Sequence, residues 1–226
     1  MSIELKDIGI RESGVKTFRF QKQAALKKEC LQNSNVQVVD IPNIESIDDG
    51  AFENCSCLAA LSIGGIEQVG NILGNNRIHL SNLQNVYLYD GIKDIGRSLS
   101  GLSSLENVRF PTSLTVVQPS AFCECDRLRT IEFNHAIKLM QNSFAGMNGL
   151  ETLKMPIDDI DATNGNLGLS ANSNLRQITC FNSNPTQEIA IQSDTFRDCK
   201  ALQIEFSGNG TNITSIAPSS FAGSKI

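Results

Sequence analysis

The stretch "VDIPNIESIDDGAFENCSCL", residues 39–58, has a counterpart in "VRFPTSLTVVQPSAFCECDRL", residues 108–128. Both run apolar, polar, apolar, Pro, then a third apolar step (Ile44 and Ile47; Leu114 and Val117), then Ala-Phe, two residues, Cys, two residues, Leu. Working outward, the apolar pair recurs as Val39/Ile41, Leu61/Ile63, Val86/Leu88, Val108/Phe110, Ile131/Phe133, Leu153/Met155, Ile178/Cys180 and Ile204/Phe206. The second members lie 22, 25, 22, 23, 22, 25 and 26 residues apart, and Phe18/Phe20 makes a ninth pair 21 residues before Ile41. The Phe segment returns as "SFAGMNGL" (143–150) and "TFRDCKAL" (195–202), and begins again at "SFAGSKI" (220–226).

A unit of this length with one short strand cannot bury its apolar side alone, so neighbouring units must stack and share a core. Alternation along a strand turns both members of each pair inward and the residue between them outward. The expected result is a parallel sheet with one rung per repeat, closed from the opposite side by the Phe segments. The third apolar step, as at Ile44 and Ile47 or Ile137 and Met140, lies between strand and Phe.

These motifs resemble the BspA-like leucine-rich repeats, with their "LP..L..I...AF..C..L" pattern, over roughly residues 36–226. The resemblance implies an α/β-class leucine-rich repeat solenoid, a right-handed superhelix of about nine coils. Its parallel sheet would line the concave face, with short strands and turns on the convex face, strand-rich with little helix. The units starting at Leu61, Val86 and Leu153 depart by replacing the Phe with an aliphatic residue. The family likeness also implies surface display or secretion, and adhesion to a host or matrix protein.

Residues 1–35 are expected to form an N-terminal capping unit, with a short helix in "FRFQKQAALKKECLQNSN" (18–35) that places Ala25, Leu26 and Leu31 on one side. Residues 36–226 are expected to be one continuous repeat domain whose last repeat is incomplete, as in a piece of a longer array. The composition is that of an ordinary globular chain, 40% hydrophobic with a net charge of −5 and no Trp. Residues 1–30 carry seven Lys/Arg against four Asp/Glu, so the remainder is net acidic. An acidic body argues against nonspecific binding to nucleic acid or anionic membrane. No apolar run is long enough to cross a membrane as a helix. The polar start "MSIELKDIGIRESG" lacks the apolar core of a secretory signal, leaving the compartment open between an intracellular and a processed protein.

The Cys-x-Cys pairs Cys55/Cys57 and Cys123/Cys125 invite a metal reading. In a stack they stand three rungs apart, on the order of 14 Å at about 4.8 Å per rung. They therefore cannot share one ion or a disulfide. Cys55, Cys125 and Cys199 each follow the repeat Phe by three residues, the position of a buried thiol acting as apolar filler. Cys57 and Cys123 fall outside that register and are expected at the surface or in loops.

No catalytic constellation converges. His79 and His135 are expected in loops about two rungs apart. "DDIDATNGN" (158–166) fails as a calcium loop, with Asn164 where Gly is needed and Ser170 where Glu is needed. "GNILGNN" and "SGNGTN" lack the Gly-Lys-Ser/Thr ending of a phosphate loop. The sequons at Asn54, Asn209 and Asn212 matter only in a eukaryotic secretory route. No enzyme activity, metal or cofactor is expected.

What remains is the outward stripe Arg19, Asp40, Ser62, Tyr87, Arg109, Glu132, Lys154, Thr179 and Glu205, flanked by Tyr89 and Phe181. Tyr and Arg commonly anchor interfaces. Tyr87, Tyr89, Arg109, Glu132 and Lys154 are therefore the candidate protein-binding residues. The plain alternative is a cross-rung charge ladder that only stabilises the sheet. The expected function is a non-enzymatic module binding a protein partner, with an intracellular scaffold domain as the rival.

Overall fold

The computed structural model describes residues 3–5, 14–28, 30–48, 50–70, 73, 80–157, 166–184, 186, 188–199, 203–207 and 212–224. The chain forms two compact units, Met1–Leu114 and Thr115–Ile226.

The first unit contains β1 (Ile3–Leu5), β2 (Thr17–Arg19), β3 (Ala24–Leu26), β4 (Val38–Ile41), β5 (Ile44–Ile47), β6 (Ala60–Ile63), β7 (Asn85–Leu88) and β8 (Asn107–Arg109). Strands β2, β4, β6, β7 and β8 pair in that order as a five-rung parallel sheet, and β1, β3 and β5 make a second parallel sheet. The second unit contains β9 (Val116–Val117), β10 (Thr130–Glu132), β11 (Lys138–Leu139), β12 (Thr152–Pro156), β13 (Gln177–Phe181), β14 (Glu188–Ile191), β15 (Gln203–Ser207) and β16 (Asn212–Ile216). Here β10, β12, β13 and β15 form a four-rung parallel sheet, with β9–β11 and β14–β16 as shorter parallel pairs. Each unit is thus a strand-rich parallel solenoid of the leucine-rich repeat kind. Helix is scarce among the described residues, with one 3-10 turn at Leu169–Ala171.

The expected alternation holds at the rungs. Val39, Ile41, Leu61 and Ile63 are buried, as are Leu153, Met155, Ile178 and Cys180, while Asp40, Ser62, Lys154 and Thr179 between them are half-exposed. Phe18 and Ile204, on strands with a neighbour on one side only, are half-buried. The third apolar step forms the second strand of several coils, because Ile44 and Leu139 turn inward beside their rungs.

The Phe segments close the coils by successive turns. Cys55 N–H donates to Phe52 O at 3.2 Å and Leu58 N–H to Cys55 O at 3.0 Å; Cys125 and Leu128 repeat this at 3.1 and 3.2 Å. Consecutive segments are laced together, as in Asn33 N–H to Glu53 O (3.0 Å) and Glu124 N–H to Gly146 O (2.9 Å), so the turn backbone is satisfied from coil to coil. Phe52, Phe122, Phe144 and Phe196 are fully buried, and the rings of Phe122 and Phe144 stack 6.2 Å apart. Where the Phe is missing, Leu99, Leu102 and Leu105 fill the same three places.

One expectation is corrected. The stretch at 18–35 holds no helix among its described residues: Ala24–Leu26 is strand β3, paired in register with β1 and, across a one-residue shift, with β5. All three residues are buried, so both sides of the strand are covered. The tertiary pairing outweighs the helix preference of Ala and Leu, which amounts to only a few tenths of a kcal/mol per residue. Of the charged segment that follows, Lys27 has no regular structure and Lys28 is turn.

Candidate functional site

The outward stripe is in register within each unit. Arg19 faces Asp40, Asp40 faces Ser62, Ser62 faces Tyr87 and Tyr87 faces Arg109. In the second unit Glu132 faces Lys154, Lys154 faces Thr179 and Thr179 faces Glu205. Alternation alone puts these side chains on the outer face, since their strand neighbours supply the core.

In the first unit the candidate residues separate into two groups. Tyr89 lies down across the sheet. Its hydroxyl donates to Asp40 Oδ1 at 3.0 Å, although Asp40 sits two rungs away on β4. Gly64 makes this possible, because a Cβ there would stand 2.5 Å from the Tyr89 Cβ. Asp40 in turn is 3.9 Å from Arg19 Nε. Burial, followed by the hydrogen bond to Asp40, pushes the Tyr89 phenol above its ordinary value. Tyr89 is therefore a clasp holding three rungs.

Tyr87 and Arg109 are presented differently. The Arg109 guanidinium carbon sits 4.9 Å from the centre of the Tyr87 ring, a cation–π arrangement, and the Tyr87 and Tyr89 rings are 4.5 Å apart at 59°. Beside them lies a shallow depression of about 230 Å³ over β6, β7 and β8, lined by residues 60–62, 85–87 and 107–109. Asn107 Nδ2 donates to Asn85 Oδ1 at 2.9 Å.

In the second unit Lys154 Nζ donates to Asn134 Oδ1 at 2.6 Å and lies 5.8 Å from the Phe181 ring centre. Glu132 is exposed. It is the register neighbour of Lys154, yet among the described residues the ammonium makes its ion–dipole contact with Asn134, not with Glu132. Lys154 is thus directed at an amide and a ring.

The thiols sort as their register requires. Cys30, Cys55, Cys125, Cys180 and Cys199 are buried, and Cys57 and Cys123 are half-exposed in the turns. Cys55 Sγ donates to Leu31 O at 3.0 Å. Burial raises the Cys30 thiol to about 12 and pushes Cys55 and Cys180 upward as well, so these groups stay protonated and unreactive. Among the described residues no three metal-ligating side chains converge. His135 is half-exposed in a bend after β10. His79, residues 158–165 and Asn209 lie outside the described residues, as does most of "GNILGNN" and of "SGNGTN".

Sequence reading missed a recurrent backbone feature. Residues two before and two after the repeat Phe are left-handed: Gly50 and Asn54, Ser120 and Glu124, Asn142 and Gly146, Asp194 and Asp198, with φ between 53° and 86°. The signal was available, since Gly, Asn and Asp fill most of these places and tolerate that conformation.

The repeat length, the Phe–Cys–Leu turn and the parallel rungs together match one known family. The model described as "BspA type Leucine rich repeat region" fits six copies, over residues 11–99, 67–164 and 94–226. The chain belongs to the BspA-type leucine-rich repeat family. Leucine-rich repeats in general serve as scaffolds for protein–protein interaction. Among solved structures, the chain is similar to a leucine rich cell surface protein from Faecalibacterium prausnitzii A2-165. Identity is 16%, with 85% of this chain and 88% of that chain covered and a TM-score of 0.31, too distant to bear on function. No curated protein matches.

Proposed function

We propose that this BspA-type chain is a non-enzymatic protein-binding module that recognises a partner through the outer face of its rungs, with Tyr87 and Arg109 as the central contacts. The observation that carries the reading is the Tyr87–Arg109 pair at the edge of an open depression on the outer face. Tyr and Arg are enriched where interfaces concentrate binding energy. Tyr89 packs against Tyr87 and is tied to Asp40. Glu132 and Lys154 belong to the second unit and are assigned a lesser share. Residues 1–35 are read as a capping unit built from strands.

The family points to display at a cell surface or secretion, and to adhesion to a host or matrix protein. Buried, strongly protonated thiols are compatible with an oxidising exterior. The half-exposed Cys57 and Cys123 favour the second reading, an intracellular scaffold, because free thiols of that kind persist best in a reducing compartment. Purified protein is screened against immobilised extracellular-matrix and host-surface proteins, and in parallel against cytosolic proteins of the source cell. Saturable matrix or host binding that the Tyr87→Ala/Arg109→Ala double variant loses supports the adhesin. Unchanged binding by that variant removes the Tyr87–Arg109 face from the account, and binding confined to cytosolic proteins replaces the adhesin by the scaffold.

A further inference from the structure

The charges on the outer face of the first unit are not equally matched. Arg19 has Asp40 within 3.9 Å, and Asp40 also accepts from Tyr89. Arg109 has no carboxylate within ion-pair reach among the described residues; its contact is the Tyr87 ring. A guanidinium carries five N–H donors in a planar fork, and a ring face satisfies none of them directionally. On the neighbouring row, Asn85 Oδ1 is taken by Asn107, which leaves the Asn85 NH₂ group without a partner among the described residues. Both donor groups line the same depression, which is about 230 Å³ in volume.

From this arrangement we infer that the depression over β6, β7 and β8 receives an Asp or Glu side chain of the partner protein, its carboxylate paired with Arg109 and assisted by Asn85. The inference rests on the protein-binding reading given above and names the chemistry that the partner must present. Planar donor forks fit carboxylates in a bidentate geometry, and such charge-assisted bonds are about twice as strong as neutral ones. Tyr87 acts as a positioning residue, holding the guanidinium at 4.9 Å from its ring so that little side-chain freedom is lost on docking. A sugar is disfavoured as the occupant. One face of the Tyr87 ring is covered by Arg109 and Tyr89 is tilted against it at 4.5 Å, which reduces the ring area free for stacking.

The test uses the full chain and a phage-displayed library of random dodecapeptides, panned at low salt and eluted with rising salt. Arg109→Gln, Arg109→Lys and Tyr87→Ala variants are compared after unfolding midpoints show that each remains folded. Arg109 is exposed, which favours that result. The expected outcome is enrichment of Asp- or Glu-containing peptides, with affinity falling about ten- to a hundredfold in Arg109→Gln and partly kept in Arg109→Lys. Replacing the acidic residue of an enriched peptide by its amide should cost a similar factor. Peptides of no acidic preference whose binding needs Tyr87 but ignores Arg109→Gln would overturn this inference and leave the interface reading standing. Peptides indifferent to both positions would overturn the two together. Binding of uronic-acid oligosaccharides to the wild type, lost in Arg109→Gln, with no acidic peptide selected, would reassign the site to a polysaccharide.

Discussion

Each unit sets a cation over an aromatic ring on its outer face, yet the two arrangements differ. In Met1–Leu114, Arg109 and Tyr87 are register neighbours, one rung apart. In Thr115–Ile226, Lys154 leans diagonally to Phe181, whose register neighbour is Pro156. The first unit has Gly64 where the second has a pyrrolidine ring beside its aromatic. Open space above Gly64 lets Tyr89 lie flat and reach Asp40, while Phe181 stays beside Pro156 and receives the lysine. Lys154 then has an amide partner in Asn134. Arg109 keeps its donors for something else. One glycine thus changes how an otherwise equivalent face distributes its polar groups.

The largest effect is expected from removing the core beneath a face. Phe122→Ala deletes a fully buried ring stacked on Phe144, and denaturant unfolding should show a loss of about 3–5 kcal/mol. A loss below about 1 kcal/mol would mean that Phe122 is not a hub of the second unit.

Next in size is Gly64→Val, which puts atoms 2.5 Å from the Tyr89 Cβ and 2.8 Å from Pro42 O. Overpacking of that kind costs about 1–3 kcal/mol, and it should also release Tyr89 from Asp40. A crystal structure of the variant with the Tyr89–Asp40 bond intact would refute the role given to the glycine.

Tyr89→Phe should cost about 0.5–1.5 kcal/mol by removing the hydroxyl that Asp40 accepts, with Tyr87 and Arg109 left in place. The phenol also gives a pH readout. Its folded value is raised by burial and by Asp40 above the ordinary value of about 10. The stability it lends is therefore fully present below about pH 10 and is lost as pH climbs through the raised value. Only two tyrosines occur, so ultraviolet titration of Tyr87→Phe reports Tyr89 alone. Its midpoint should fall when Asp40→Asn is added, and a midpoint that stays put would sink the clasp.

The smallest expected effects are on the cations themselves. Arg109→Gln and Lys154→Gln should each change stability by no more than about 0.5–1 kcal/mol, the scale of an exposed cation–π contact. Thermal melts check this, and a much larger loss at Arg109 would mark it as structural, not as a contact for a partner.

Much of the molecule is legible along the chain, because a repeat samples the same local physics many times. The alternation of Val39, Asp40 and Ile41 dictates which side chains are buried. The period of about 23 residues turns that alternation into parallel rungs, and the Phe–Cys–Leu spacing marks the closing turns. Tyr87 and Arg109 follow as outward neighbours from register alone.

Pairing across coils decided the rest. Residues 24–26 read as helix in isolation but form a strand, since their backbone groups find partners on β1 and β5. Tyr89 gave no sign that it would span two rungs to Asp40, because that depends on empty space above a glycine 25 positions earlier in the chain. Lys154 gave no sign that it would turn from Glu132 to Asn134 and Phe181. Periodicity determines which face a side chain occupies; its partner on that face is set by contacts among residues on different coils, and a one-dimensional pattern does not encode those distances.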